Sequence, residues 1–171
     1  MIVQDCAARY PDAVDALVLV ATGAVASARD NALFATWAAL FPAIDRDLWF
    51  RNLFYWVFTP RFFEDRKAVD ALVELATGYS YQQTPEALAN QVRAIAAFDG
   101  TRAASSLRAR TLVMAGTEDL LFPVATSAAF ARSIPHATFA AVEGAAHSIP
   151  MEFPQEFAGR VLAFLKLGSE L

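Results

Sequence analysis

Two hydrophobic periods alternate along this chain. Short, mostly apolar runs occupy residues 15–21, 111–115 and 137–142, and elsewhere apolar residues recur every three to four positions. Runs of the first kind, bounded by turn residues, read as strands, the first with the look of one covered on both faces and the second buried. Stretches of the second kind read as amphipathic helices. Residues 1–9 form a helix already in progress, with no capping Ser, Thr, Asp or Asn before it, and Tyr10-Pro11-Asp12 stops it. Residues 22–30 read as a loop. From 31 to about 100 the pattern is helical throughout: 31–41 with Phe34 and Trp37, 45–58 with Trp49 and Trp56, 61–77 with Val69 and Val73, and a last helix opened by Thr84-Pro85-Glu86. After strand 111–115 a helix starts at Pro123. After strand 137–142 and its loop 143–146, Pro154 opens a final helix with Phe157, Val161 and Phe164 on one face.

Strands separated by helices imply an α/β fold with a parallel sheet and right-handed crossovers. The helical block is too long for a simple crossover. It predicts an all-helical lid, residues 31–100, inserted in a core made of residues 1–30 and 101–171.

Composition sharpens this picture in three places. The hydrophobic fraction is 56%, above the roughly 45–50% of ordinary soluble domains. Either the sheet is buried on both faces or part of its partner surface lies elsewhere. No apolar run reaches the roughly 18 residues of a membrane span, so no membrane partner is expected. Net charge is −4 and the 14 basic residues are scattered, which gives no stripe for nucleic acid. The single cysteine, Cys6, excludes an internal disulfide and suits a reducing, cytoplasmic setting. The first residues lack the basic region of a signal peptide.

The chemistry lies at two strand ends. Thr111 to Pro123, TLVMAGTEDLLFP, breaks at Gly116 and delivers the carboxylate of Asp119. His147 follows 28 residues later in VEGAAHSIP, also just past a strand. Ligands of open parallel sheets bind beyond the carboxyl ends of the strands. An acid that fixes one ring nitrogen of a histidine leaves the other as a base, which is two thirds of a hydrolytic triad. Glu118 is a rival acid, disfavoured by strand alternation. His136, in a Pro-His turn, reads as a surface residue.

Gly116-x-x-Asp119-x-x-x-Pro123 followed by Gly144-x-x-His147 resembles the acid and histidine turns of the α/β-hydrolase superfamily, closest in look to its capped esterase, lactonase and peroxidase-like members. Residues 1–22 are similar to the helix after that family's nucleophile elbow and the next strand. The resemblance implies a partial α/β-hydrolase fold of about three parallel strands, flanking helices and a helical lid. It also implies a carboxylic ester or lactone hydrolase by descent, with Asp119 as orienting acid, His147 as base and no cofactor. The family's G-x-S-x-G turn would stand just before Met1, and none of the seven glycines here frames a serine. Of the conceivable substitutes, Ser148 adjoins His147, Cys6 lies too far down its helix, and Ser27 is the least unsuitable. Nucleophile and oxyanion donors would be missing together, so the chain alone is expected to be inactive; the alternative readings are a non-catalytic binding or oligomerisation module and an esterase that uses a serine outside such a turn.

Trp37, Trp56 and Leu121 are the candidates to line a pocket for a small apolar ester or acyl ligand, although aromatics at helical spacing also serve packing. The charge run Glu64, Asp65, Arg66, Lys67 reads as a solvated helix face. Strand 15–21, from Asp15 to Ala21, is expected at a free sheet edge, where unpaired backbone invites a second copy of the chain.

Overall fold

The computed structural model describes residues 1–166. They divide into two compact units, Met1–Ala24 together with the chain from Asp99 onward, and Val25–Phe98.

The first unit holds the sheet. Its strands are β1 (Ala16–Val20), β2 (Arg110–Gly116) and β3 (Thr138–Val142), in the order β1-β2-β3. Both pairings are parallel, with Leu19 opposite Val113 and Gly116 opposite Val142. This is the parallel architecture that the apolar runs predict. β2 explains why its sequence does not alternate. Val113 faces a cluster with Ala7, Leu17, Leu19, Phe130 and Ile134, whereas Leu112 and Met114 face another with Val142, Ile149, Phe157 and Phe164. A central parallel strand has no wet face, so both sets of positions are apolar. Val113 and Met114 are fully buried, and each such side chain contributes roughly 1.5–3 kcal/mol by leaving water. The strand that carries the acid turn is therefore firmly held.

Helices α1 (Ile2–Arg9), α6 (Thr101–Ser106), α7 (Val124–Arg132), α8 (Ile149–Glu152) and α9 (Pro154–Lys166) complete this unit. The two shortest were not visible as periodic patterns. α6 follows Gly100, and just before it the Asp99 carboxylate accepts from the Thr101 backbone and hydroxyl, an arrangement that also lowers the pKa of that carboxyl group. α8 follows directly from His147, with the Ser148 carbonyl accepting from the Met151 and Glu152 backbones.

The second unit contains α2 (Ala28–Leu40), α3 (Arg46–Val57), α4 (Arg66–Thr77) and α5 (Pro85–Ala97). α2 starts three residues earlier than the periodicity predicts, because Ser27 and Asp30 form a reciprocal capping box. The expected single helix over 61–77 is two elements. A 3-10 turn, Pro60–Glu64, ends at Asp65, whose side chain accepts from the Lys67 and Ala68 backbones and starts α4. The run 64–67 is solvated, as expected, but Asp65 within it is a helix cap and not part of a helix face. Phe54, Phe58 and Val73 form one buried cluster of this unit, and Phe58 stacks on Phe62 at 4.2 Å. Among the described residues no helix is long and apolar enough to cross a membrane.

Candidate active site

β2 and β3 run in the same direction and stop side by side, so the turns that follow them meet. Gly116 is what lets them meet closely. A Cβ at this position would lie 2.1 Å from the Ala145 carbonyl oxygen and 2.3 Å from that of Ala146. The sequence reading assigns Gly116 to a sharp turn. In the structure it is the last residue of β2, and its requirement is space for the backbone of the histidine turn. Gly144 is the glycine whose dihedral matters: its φ of +69° is a left-handed conformation that glycine adopts without cost.

Asp119 sits on the acid turn with its side chain wholly buried. One oxygen, Oδ1, accepts from the Leu121 and Phe122 backbones at 2.8 and 2.9 Å. The other, Oδ2, lies 3.0 Å from Nδ1 of His147. The carboxylate thus caps its own turn and holds the histidine at the same time. For Oδ2 to accept, Nδ1 must carry the proton, which leaves Nε2 with its lone pair free. The imidazole is 28% exposed above a carboxylate that is 0% exposed. A proton acceptor open to one side, oriented from beneath by a dry acid, is the geometry of a general base. The Phe122 ring lies nearly parallel to the imidazole, 6.2 Å between centroids with 26° between planes, within the range of offset stacking. Gly23 lies against the same phenyl ring.

The other sequence candidates are placed as follows. Leu121 is buried on the acid turn and donates its backbone N–H to Asp119. Trp37, on α2, is buried in the helical unit, and its indole N–H donates to Asn52 at 3.0 Å. Trp56, on α3, is half-buried, with its ring edge-on to Tyr55 and the Arg29 guanidinium 6.0 Å away. Ser27 is committed to capping α2: its hydroxyl oxygen accepts from Asp30, whose carboxylate accepts from the Ser27 backbone. His136 is exposed in a left-handed turn, φ +58°. Thr117 and Phe122, which both touch the histidine turn, have no signal in the sequence, because each contact joins segments far apart in the chain.

Residues 1–154 match the model of a protein family described as the alpha/beta hydrolase fold. Over 94 residues the chain is 32% identical to a Rhizobium rhizogenes protein named as a carbamate hydrolase, RutD, covering 55% of this chain and 36% of that one. Among solved structures it superposes on a hydrolase from Pseudomonas aeruginosa PA01 with a TM-score of 0.81 and 26% identity, over 95% of this chain and 59% of the other. It also superposes on the enol-lactonase of Burkholderia xenovorans LB400 with a TM-score of 0.82 and 22% identity, over 95% and 60% of the two chains. The chain therefore spans about a third of the curated relative and about three fifths of these two solved structures.

Proposed function

This chain belongs to the α/β hydrolase fold family, and from that premise we propose that it carries the acid–histidine part of a serine-type hydrolase acting on carboxylic esters or lactones. The observation that carries the proposal is the 3.0 Å contact between Nδ1 of His147 and the buried Oδ2 of Asp119. Asp119 orients the ring and supports the imidazolium. Nε2 of His147 takes the proton of a serine hydroxyl as that oxygen bonds to the acyl carbon. The same proton then goes to the leaving alkoxide as the ester bond breaks, and water repeats the sequence to release the acid. Phe122 and Leu121, which border the pair, favour an apolar acyl group. The relative named as a carbamate hydrolase also fits attack at an acyl carbon.

The serine is not supplied by a G-x-S-x-G turn within these 171 residues. A fluorophosphonate probe is accordingly expected to leave the chain unlabelled. When a segment bearing a G-x-S-x-G turn is joined in frame ahead of Met1, labelling and ester turnover should appear and be lost again in His147→Ala. Turnover that survives His147→Ala would refute the base assignment. A covalent adduct on the 171-residue chain itself would make one of its own serines the nucleophile. A second reading is a non-catalytic module that binds an apolar acyl ligand beside Phe122, for which ligand-induced stabilisation without turnover is the mark.

Association is the second element of the proposal. Among the described strands β1 pairs with β2 alone, so its other edge presents unpaired N–H and C=O groups, a template for a second copy of this chain. Light scattering at micromolar concentration is expected to give the mass of a dimer. A monomer with a cooperative melt would sink this part of the proposal and leave the site unaffected.

A further inference from the structure

We propose that Thr117 is a positioning residue for the acid–histidine pair, its hydroxyl oxygen holding the histidine turn at the height where Nδ1 of His147 reaches Asp119. The inference rests on reading those two residues as a catalytic pair. Besides the His147–Asp119 contact itself, three hydrogen bonds among the described residues join the acid turn to the histidine turn. The Thr117 backbone N–H donates to the Val142 carbonyl at 3.1 Å, and that of Glu118 donates to the Ala145 carbonyl at 2.9 Å. Any residue at 117 and 118 other than proline could make those two. The third is specific to the side chain: the Gly144 backbone N–H donates to Thr117 Oγ1 at 2.9 Å, across 27 residues of sequence.

Its location gives that bond leverage. Gly144 is where the chain reverses after β3, at φ +69°, and His147 is three residues further on. Around Gly144 the turn is also closed by the Ala145 N–H donating to the Val142 carbonyl at 3.3 Å, and beyond it by the Glu118–Ala145 bond and a long contact, 3.4 Å, between the Ala146 N–H and Glu152. Without the Thr117 oxygen, the half-buried Gly144 N–H loses its partner, and the reversal at Gly144 loses its tie to a side chain of the acid turn. Threonine suits this task, because its branched β-carbon restricts χ1 and keeps the hydroxyl aimed. The Thr117 side chain hydrogen-bonds neither His147 nor Asp119, so we assign its effect on the pair to the bond with Gly144.

The test uses the 171-residue chain with 15N in its histidine rings. Only two histidines are present, and His136, in its exposed turn, is the internal control. In the wild type His147 is expected as the Nδ1–H tautomer, with that proton slowed in exchange by its bond to Asp119. Thr117→Val keeps the shape and removes the acceptor. It should speed exchange of the His147 Nδ1 proton by about tenfold, the factor corresponding to one net hydrogen bond, and mix the tautomers. Thr117→Ser restores the acceptor and should return exchange to within about twofold of wild type, with His136 unchanged throughout. Wild-type behaviour of His147 in Thr117→Val, with the Val113 amide still slow to exchange, would overturn the proposal. So would a serine variant as perturbed as the valine one, since packing of the methyl group would then be the cause. If Thr117→Val does not fold, the serine variant is compared with Thr117→Ala under the same two criteria. A wild-type His147 that is not the Nδ1–H tautomer would refute the acid–histidine pair itself, a result distinguishable from failure of the Thr117 clamp alone.

Discussion

Gly116→Ala is expected to destabilise the chain by about 3 kcal/mol or more, at the upper end of what overpacking costs. The new methyl group would stand 2.1 Å from one carbonyl oxygen and 2.3 Å from another, about an ångström inside contact distance in both cases. Neither side has room to give. Gly116 is in register with Val142 in the sheet, and the carbonyl of Ala145 is already bonded to the Glu118 N–H. Relief requires peeling the histidine turn off the acid turn, which separates His147 from Asp119 as it destabilises the fold. Alanine also restricts the unfolded chain, an effect of opposite sign worth only about 0.4–1 kcal/mol. Gly159→Ala is the matched control. Gly159 lies within α9 with nothing within 4 Å of its added methyl, so helix propensity should raise stability there by roughly 0.8–1 kcal/mol. Urea midpoints at constant slope measure both. A Gly116→Ala chain as stable as wild type would show that the two turns are not tightly apposed.

What the sequence made legible, and what it did not, follows one physical division. The strands, and the turns that carry Asp119 and His147, are local signals, although two-sided burial belongs to β2 alone: β1 alternates between buried and half-buried positions, and β3 exposes Thr138 and Ala141. An apolar run covered on both faces needs no partner residue to be recognised, and a glycine ending it marks where the chain leaves the sheet. The capping box of Ser27 and Asp30 and the cap at Asp65 are local too, but their side chains compete with the solvated-surface reading that any short polar residue invites. The rest is non-local. That Gly116 is needed for space appears only once the Ala145 backbone is beside it, and the hydrogen bond from Gly144 to Thr117 joins residues whose sequence neighbourhoods say nothing of each other. Asp119 is both a turn cap and the partner of His147, because its two oxygens face different ways. Spacing in a sequence cannot distinguish one role from two.

Asp119→Asn is expected to have the largest effect on chemistry and little on the fold. Asparagine has the same shape, so its carbonyl oxygen can still accept from the Leu121 and Phe122 backbones as Oδ1 does now. The second position becomes an NH₂ group, which donates. Opposite it, Nδ1 of His147 must then accept, and the ring proton moves to Nε2, the nitrogen that the proposed mechanism needs free. Histidine-ring NMR on the 171-residue chain should therefore show the tautomer inverted while the melting midpoint stays near wild type. Asp119→Ala differs: it removes both acceptors and leaves backbone N–H groups unpaired where the carboxylate is wholly buried, costing about 1–3 kcal/mol for each group left unsatisfied. In a chain joined to a nucleophile-bearing segment, the asparagine variant should lose about 10⁴-fold in kcat, the loss that follows from the same wrong tautomer in a serine-protease triad. The two readouts separate the causes. An inverted tautomer with turnover intact would mean that His147 is not the base, whereas an unchanged tautomer would mean that Asp119 does not control the ring.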